Sequence, residues 1–306
     1  MGNGVWAYLQ PNGSWGWSNA GLVTDSGASL LVDTLFDERL TAKMLADMQA
    51  AAGVRANDIA TVVNTHANGD HTYGNRLVAN AEIIASEAGA AEMEHVPPAV
   101  LATMLRQASD ADRLGRYLKH CFAAFDFEGL GITLPTRTFR GELQLKVGSK
   151  AVELIEVGPA HTGGDILVHV PADRVIYTGD ILFIGGTPII WAGPVGNWIR
   201  ACDRILQMDL DVIVPGHGPV TDKAGVREVR EYLRFVDAEA RPRFDAGMGF
   251  EEAARDIALG RYRNWLDYER IVVNVYSLYQ EYAGVRQPPD HARLFDAMAA
   301  YLEAQP

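Results

Sequence analysis

The stretch Asn64–Asn75, NTHANGDHTYGN, places two histidines, an aspartate and an asparagine within six positions. It begins at the end of the β-branched run Ile59–Asn64, which predicts a short strand. A glycine inside the stretch allows a sharp turn, so His66, Asp70 and His71 can point to one place. Zinc binds imidazole nitrogen and carboxylate oxygen, usually with four ligands. The stretch therefore predicts a metal site, although a polar helix N-terminus capped by Asp70 would explain the same residues.

Three later segments place ligand-type residues directly after a predicted strand. They are GPAHTGGD at Gly158–Asp165, YTGD at Tyr177–Asp180 and VPGHG at Val214–Gly218, which supply His161, Asp180 and His217. Each segment contains glycine, which lets the backbone turn tightly. One histidine after a strand is usually structural. Four strand ends that supply histidine or aspartate are hard to explain without a shared centre.

The rest of the N-terminal region predicts alternating strands and helices. Val5–Leu9 and Gly21–Thr24 flank a turn that contains Asn12 and Gly13, a strong hairpin signal. Ser29–Asp33 is an apolar run typical of a buried strand. Residues 37–51 have a helical period with one apolar face, formed by Leu40, Met44, Leu45 and Met48. This order predicts a layered α/β fold with function at the strand ends.

The remaining chain divides into three parts. Residues 86–128 are rich in Ala, Met and Leu and predict an inserted set of helices. Strands are then predicted at Leu143–Val147, Val152–Val157, Ile166–Val170, Val175–Thr178 and Val212–Val214. From Asp222 onward the pattern is nearly all helical. We therefore expect one domain over residues 1–221, with the insertion at 86–128, and a helical extension over residues 222–306 that packs on it.

Composition excludes several classes of function. The chain has 306 residues and a net charge of −12, which argues against a nucleic-acid-binding surface. No apolar run reaches the roughly 20 residues of a membrane span. The start lacks a basic segment followed by a long apolar one, so no signal peptide is predicted. Cys121 and Cys202 are too few for a disulfide framework. A reducing, cytoplasmic location and a small-molecule substrate are the resulting expectations.

The order and spacing of the four motifs resemble those of the metallo-β-lactamase superfamily. The resemblance runs from about Val5 to His217 and includes the T-H-x-H-x-D-H loop, a G-x-x-H-T-x-G-D segment, a G-D and a G-H-G. It implies a four-layered αβ/βα sandwich of two mixed sheets packed face to face with helices outside. Members commonly bind two metal ions and use metal-activated water to hydrolyse esters, thioesters, lactones, lactams or phosphodiesters.

The resemblance also implies a set of ligands. His66 and His161 would belong to a first metal site, Asp70, His71 and His217 would form a second, and Asp180 would bridge the two. Asn68 stands where the family has another histidine, and an amide oxygen is a much weaker zinc ligand than imidazole. We therefore expect one tightly bound zinc and a second that binds weakly, with iron or manganese as alternatives. The candidate catalytic residues are Asp70, His66 and Asp180.

The expected activity is hydrolysis of a carbonyl ester-type bond, such as a lactone, thioester or ester. Aromatic residues near the motifs predict an apolar pocket for the substrate. They are Trp15, Trp17, Tyr73, Trp191 and Trp198, although tryptophans are also common core residues. The segments Trp15–Asn19 and Phe183–Trp198 contain no Lys or Arg, which disfavours a β-lactam carboxylate, and Arg200 lies just beyond the second.

Other functions remain open at this point. A cyclase or lyase of the polyketide type has the same fold, as has a β-lactamase. An iron-dependent oxygenase would use the first site, which Asn68 weakens. A metal-binding protein without catalysis would explain Asn68 as decay, but six of the seven ligand positions are kept. The C-terminal helices could cover the sandwich or join two copies of the chain, so a homodimer is a further expectation.

Overall fold

Short β-branched and apolar runs form the strands of two sheets, and longer amphipathic runs form the helices around them. The computed structural model describes residues 2–285 and 287–305. Within these residues the strands are β1 (Val5–Tyr8), β2 (Ala20–Asp25), β3 (Ala28–Val32), β4 (Thr61–Val63), β5 (Glu82–Ser86), β6 (Arg137–Phe139), β7 (Glu142–Val147), β8 (Lys150–Glu156), β9 (Ile166–Val170), β10 (Val175–Tyr177) and β11 (Val212–Val214).

The helices lie between and after these strands. In the described part of the chain they are α1 (Glu38–Ala52), α2 (Gly69–Thr72), α3 (Glu87–Glu92), α4 (Pro98–Gln107), α5 (Arg113–Phe122), α6 (Val195–Gln207), α7 (Lys223–Asp245), α8 (Phe250–Asp256), α9 (Ile271–Tyr282) and α10 (His291–Glu303). α1 begins at Asp37, whose carboxylate accepts a hydrogen bond from Leu40 N, and ends at Gly53 in the left-handed conformation.

The first sheet has the strand order β1-β2-β3-β4-β5-β6. β1, β2 and β3 are antiparallel neighbours, with Val5 opposite Val23 and Leu22 opposite Leu31. β3 to β6 run parallel, so their carboxyl ends lie at one edge. The second sheet has the order β11-β10-β9-β8-β7. Here β9 is antiparallel to both β8 and β10, and β11 is parallel to β10. β8, β10 and β11 therefore also end at a common edge.

The two sheets pack face to face through alternate residues of their strands. Val23, Val63 and Ile84 of the first sheet share one buried cluster with Leu154 and Val168 of the second. Their sequence neighbours Leu22, Val62 and Ile83 point to the opposite face, where they pack with helices. This period of two buries both faces of each sheet. The structure is the αβ/βα sandwich that the sequence predicts.

Two helical regions lie outside the strand framework. α4 and α5 of the insertion pack on each other, and α5 also packs on α10 at the other end of the chain. α7 packs along α6, and α9 packs against α7, α8 and α10. The insertion and the C-terminal helices therefore meet, and this contact matters for the site described below.

Most sequence predictions of elements agree with the structure. The hairpin around Asn12 and Gly13, the helix over residues 37–51 and the inserted helices are confirmed. The prediction missed β5 and β6, which border the insertion and are only five and three residues long. It also predicted no helix between Thr178 and Val212, whereas α6 lies there and begins at Val195. The buried residues Val195, Trp198, Cys202 and Ile205 follow a helical period that identifies α6.

None of the helices in the described residues combines the length and the apolar composition that crossing a membrane requires.

Candidate metal centre

The carboxyl ends of strands from both sheets meet at one edge of the sandwich. In the first sheet, Asp33 follows β3 and His66 lies in the loop after β4. In the second sheet, His161, Asp180 and His217 follow β8, β10 and β11. All five side chains are buried. The four motifs of the sequence are therefore brought to one place by the directions of the strands.

The loop after β4 enters the four-residue helix α2. Asn68 is its N-cap residue, and Asp70 and His71 lie in its first turn. The alternative interpretation of Asp70 as a helix cap is wrong, because Asp70 lies inside the helix and its carboxylate faces His217. A side chain at Gly69 would collide with the ring of Tyr73, so the turn needs glycine at this position.

The first group of ligand-type residues is Asp70, His71 and His217. Asp70 Oδ2 lies 3.3 Å from His217 Nε2 and 3.9 Å from His71 Nε2. One ligand atom from each of the three residues lies within 4.8 Å of the others. These are the residues that the resemblance assigns to the second metal site, and the structure brings them together.

The second group surrounds Asp180. Its Oδ2 lies 3.7 Å from His66 Nε2 and 3.3 Å from His161 Nε2, and it lies 3.4 Å from His217 Nε2 of the other group. The carboxylate thus lies between the two groups, where a bridging ligand is expected. Asn68 also reaches this group, with Nδ2 3.3 Å from His161 Nε2. Asn68 therefore lies beside a histidine of the group to which the resemblance assigns its position.

Unpaired buried atoms show that the centre suits a metal ion. His66 Nε2, His71 Nε2 and Asp180 Oδ1 are buried and have no hydrogen-bond partner among the described residues. His71 Nε2 lies 3.0 Å from Asp180 Oδ1, yet neither atom makes a hydrogen bond of acceptable geometry. Burying polar atoms without partners is costly unless a ligand satisfies them. Imidazole nitrogens with carboxylate oxygens are the donors that zinc prefers.

Hydrogen bonds behind the ligands fix the orientation of three histidines. Asp33 Oδ2 lies 2.9 Å from His71 Nδ1 and also accepts from Thr65 Oγ1. Thr65 Oγ1 in turn lies 3.0 Å from His66 Nδ1. The carbonyl of Ile189 lies 2.7 Å from His161 Nδ1. Such partners hold the opposite nitrogen of each ring toward the centre.

The charges of the centre influence each other strongly. Burial opposes ionisation of Asp180, but the surrounding histidines, led by His217, outweigh it and hold the pKa of Asp180 well below its ordinary value. Burial lowers the pKa of His66 and His161. Burial also disfavours charge on His71 and His217, but the nearby carboxylates, led by Asp180, together outweigh it, so the pKa of His71 is raised well above its ordinary value and that of His217 to about 9. A metal ion would have to displace protons from His71 and His217.

A cavity of about 600 Å³ opens onto the centre. At one end it is lined by Asn68, Asp70, His161, Asp180 and His217. Its other walls are mainly aromatic and aliphatic, and they include Trp15, Phe36, Tyr73, Leu101, Phe122 and Phe295. This volume lies within the range of small-molecule sites. The insertion and the C-terminal extension each contribute to the apolar walls.

Only some of the five aromatic residues proposed for substrate binding lie on the cavity wall. Trp15, Tyr73 and Trp191 line the cavity, but Trp17 and Trp198 do not. Trp17 packs on Phe125. Trp198 is fully buried in α6 and donates a hydrogen bond to the carbonyl of Ile181. The prediction that Trp17 and Trp198 lie on the pocket wall is therefore wrong. For Trp198 the physical reason is that it lies on the buried face of α6, a helix that was not predicted.

Three residues of the site lie outside the sequence prediction. Asp33 forms a hydrogen bond with His71 and orients its ring. Its position directly after the buried strand β3 is the sequence feature that could have identified it. Arg270 is a buried cation that lines the cavity, whereas Arg200 is exposed and lies outside the lining. Phe295 of α10 lies on the cavity wall. Nothing in the local sequence around Arg270 or Phe295 points to the centre, because both are more than fifty residues beyond His217.

Comparisons with known proteins agree with this geometry. A model of the metallo-beta-lactamase superfamily matches residues 13–217. The alpha subunit of a 2,4-dinitroanisole O-demethylase from Nocardioides sp. (strain JS1661) is 35% identical over 88 residues, which cover 27% of this chain and 26% of that protein. A linear primary-alkylsulfatase from Pseudomonas sp. (strain ATCC 19151) is 24% identical over 168 residues, which cover 49% of this chain and 31% of that protein. Each match spans less than a third of the relative's length.

The fold is also similar to that of a solved structure. The stereoselective inverting sec-alkylsulfatase Pisa1 from Pseudomonas sp. superposes with a TM-score of 0.66 at 17% identity. The likeness covers 93% of this chain and 50% of that one. The family model ends at His217, so the likeness in shape extends into the C-terminal helices that line the cavity.

Proposed function

The chain belongs to the metallo-β-lactamase superfamily, and we propose that it is a metal-dependent hydrolase of an ester-type bond. The substrate is a small apolar or aromatic molecule that carries an ester, thioester or lactone group. One observation carries the proposal: buried ligand-type atoms without partners among the described residues face one end of a cavity whose other walls are mainly apolar.

Asp70, His71 and His217 would hold one ion, and Asp180 would contribute a carboxylate oxygen to it. His66 and His161 would hold a second ion, with Asn68 in place of a third nitrogen ligand. Zinc fits this set of nitrogen and oxygen donors best. A divalent ion supplies a water of lowered pKa and polarises the bond that is attacked.

The side chains of the centre can also move protons. His66 is held in its neutral form by burial, and its Nε2 faces the centre without a hydrogen-bond partner among the described residues. Where only the group of Asp70, His71 and His217 is filled, His66 Nε2 can accept the proton that leaves the attacking water. Asp180, which is ionised, can accept a hydrogen bond from that water at Oδ1 and so help to orient it. The amide nitrogen of Asn68 lies 3.3 Å from His161 Nε2, and its second hydrogen can donate a hydrogen bond to the substrate.

The apolar walls support a substrate that binds through hydrophobic contact. Burial of apolar surface contributes about 25 cal/mol per Å², so a larger acyl or aryl group binds more tightly until the cavity is filled. The net charge of −12 disfavours nucleic acid as a substrate.

Hydrolysis of an alkyl sulfate ester is a second candidate. The similarity in shape to a sec-alkylsulfatase takes in the C-terminal helices, which form part of the cavity wall here. A linear primary-alkylsulfatase is also a relative in sequence over about half of this chain, 49%. An alkyl sulfate would place its apolar chain along the same walls and its ester group at the centre.

A substrate panel tests the proposal. Zinc-loaded protein is assayed with p-nitrophenyl carboxylic esters of increasing acyl length, a thioester, a lactone, a cephalosporin and a secondary alkyl sulfate. We expect turnover of the ester-type substrates with a KM that falls as the acyl group grows, and loss of that turnover in Asp180→Asn. Turnover of the alkyl sulfate alone would favour the second candidate. Equal turnover by wild type and Asp180→Asn would contradict both, and a cyclised product would favour a cyclase.

A further inference from the structure

His217 differs from the other histidines of the centre in how its ring is held. The other three have a partner at Nδ1, which is Thr65 for His66, Asp33 for His71 and the Ile189 carbonyl for His161. Nδ1 of His217 is buried and has no hydrogen-bond partner among the described residues. Because such partners normally orient a ligating ring, another contact must orient His217.

That contact is the ring of Phe183. The two rings are stacked with centroids 4.9 Å apart and only 6° between their planes. The backbones are joined as well, since Ile184 N donates to the carbonyl of His217 at 3.0 Å. Phe183 also packs against His161 with centroids 5.6 Å apart. One aromatic ring thus contacts a histidine from each of the two ligand groups.

Arg270 holds Phe183 from the C-terminal extension. Its guanidinium carbon lies 5.3 Å above the ring of Phe183 and 4.2 Å above that of Trp15. The guanidinium is fixed at both ends, because Nη1 donates to the carbonyl of Thr187 and Nη2 forms an ion pair with Asp267, each at 2.9 Å. The side chain is 2% exposed. A planar cation that is bound on several sides cannot move without disturbing both rings.

We propose that Arg270 is a positioning residue for the metal centre. It keeps the ring of Phe183 stacked on the ring of His217. This stacking orients His217, whereas a hydrogen bond at Nδ1 orients each of the other three histidines. Arg270 precedes α9, so the C-terminal extension helps to orient a ligand that lies in the superfamily core. The inference rests on the metal-binding part of the proposed function and is independent of the substrate.

Zinc affinity of Arg270→Lys, measured by competition with a chromophoric chelator, tests this role. Lysine keeps the charge opposite Asp267 but cannot stack on two rings and donate to Thr187 at once. We expect zinc affinity to fall about tenfold, as for a lost partner behind a ligand. Arg263→Lys is the matched control, since Arg263 lies 3.8 Å above the ring of Tyr268 in the same segment but does not line the cavity. It should keep wild-type affinity.

A double-mutant cycle separates positioning from general destabilisation. Phe183→Leu should lower zinc affinity, and adding Arg270→Lys to it should lower the affinity little further, because both act through one ring. Additive losses would overturn the proposal, as would wild-type affinity in folded Arg270→Lys. If circular dichroism shows that Arg270→Lys is unfolded, Arg270→Gln is used in its place with the same expectation. A wild-type protein without zinc affinity would contradict the proposed function as well, whereas normal affinity in the variant contradicts the positioning role alone.

Discussion

The two ends of the cavity are built from different parts of the chain. The metal end consists of side chains that follow strand ends within the family match at residues 13–217, such as Asp70 and His217. The apolar end is completed by Leu101 and Phe122 of the insertion and Phe295 of the C-terminal extension. On the proposed function, the metal end would carry the chemistry, and the two helical additions would contribute to substrate selection together with core residues such as Trp15.

Within the metal end, the two ligand groups also differ. The group of Asp70, His71 and His217 has three strong donors. The other group has the hydrogen bonds that orient His66 and His161, and Asn68 stands where the resemblance implies a histidine. The hydrogen bonds that orient the histidines of this group are therefore present, and we expect its weakness to come from the amide of Asn68 alone. A single substitution should be able to restore it.

The largest effect is expected from removing a ligand of the intact group. Asp70→Ala should lose the tightly bound zinc and reduce turnover by at least about 100-fold, because a whole donor has more effect than a partner behind it. His161→Ala should retain most of the metal. Metal analysis of both proteins, purified without added zinc, measures the difference. If His161→Ala is empty and Asp70→Ala is loaded, the occupied group is the one around Asp180 and His66, and the comparison of the groups is reversed.

The next effect concerns the number of ions. Wild-type protein should contain about one tightly bound zinc, and Asn68→His should raise the content toward two because imidazole is a far better zinc ligand than an amide. Asn68 lies 3.3 Å from His161, so the new ring would enter the correct group. Asn68→Gln is the control and should stay near one. Two equally tight ions in wild-type protein would show that Asn68 does not weaken its group.

The metal end could be predicted from sequence because its residues lie in short motifs. Each of His161, Asp180 and His217 follows a strand by a few residues, and the direction of the strands brings them together. The hydrogen bond that Asp33 accepts from His71 could not be predicted, since it depends on the pairing of β3 with β4. Local strand patterns likewise predicted a layered α/β fold, whereas the sandwich was predicted from the resemblance of the motifs to the superfamily.

The apolar end could not be predicted in the same way. Phe122 and Phe295 are 173 positions apart, and their helical periodicity shows only that each is buried. Which helix covers which face depends on contacts between α5 and α10, and these include the ion pair of Arg113 with Asp296 at 2.6 Å. For Trp198 the prediction was wrong for the opposite reason. The residue is close to a motif in sequence, but its side chain does not lie on the cavity wall.

A smaller effect is expected at the apolar end. Phe295→Leu should raise KM for long-chain or aryl esters while kcat and zinc content stay unchanged. A loss of roughly 50 Å² of apolar contact at about 25 cal/mol per Å² corresponds to about 1.3 kcal/mol, or nearly tenfold in KM. Phe250→Leu is a matched control, since Phe250 packs on Tyr276 away from the cavity. A fall in kcat or zinc content in Phe295→Leu alone would show that the two ends are not separate.

The smallest effect is expected at Arg200, which belongs to neither end. Its side chain is exposed, and Nη2 donates to Asn197 Oδ1 at 2.9 Å within the same helix. Substitution of an exposed side chain of this kind changes the free energy by no more than about 0.5 kcal/mol, so Arg200→Ala should change kcat/KM by less than about 2.5-fold for every substrate.

A cephalosporin gives the most informative test, because its carboxylate would need a cation beside the cavity. We expect cephalosporin turnover to be slow in wild type and unchanged in the variant, because Arg270, the cation that lines the cavity in the described structure, is already paired with Asp267. Efficient cephalosporin hydrolysis that collapses in Arg200→Ala would assign substrate selection to the core and make the protein a β-lactamase.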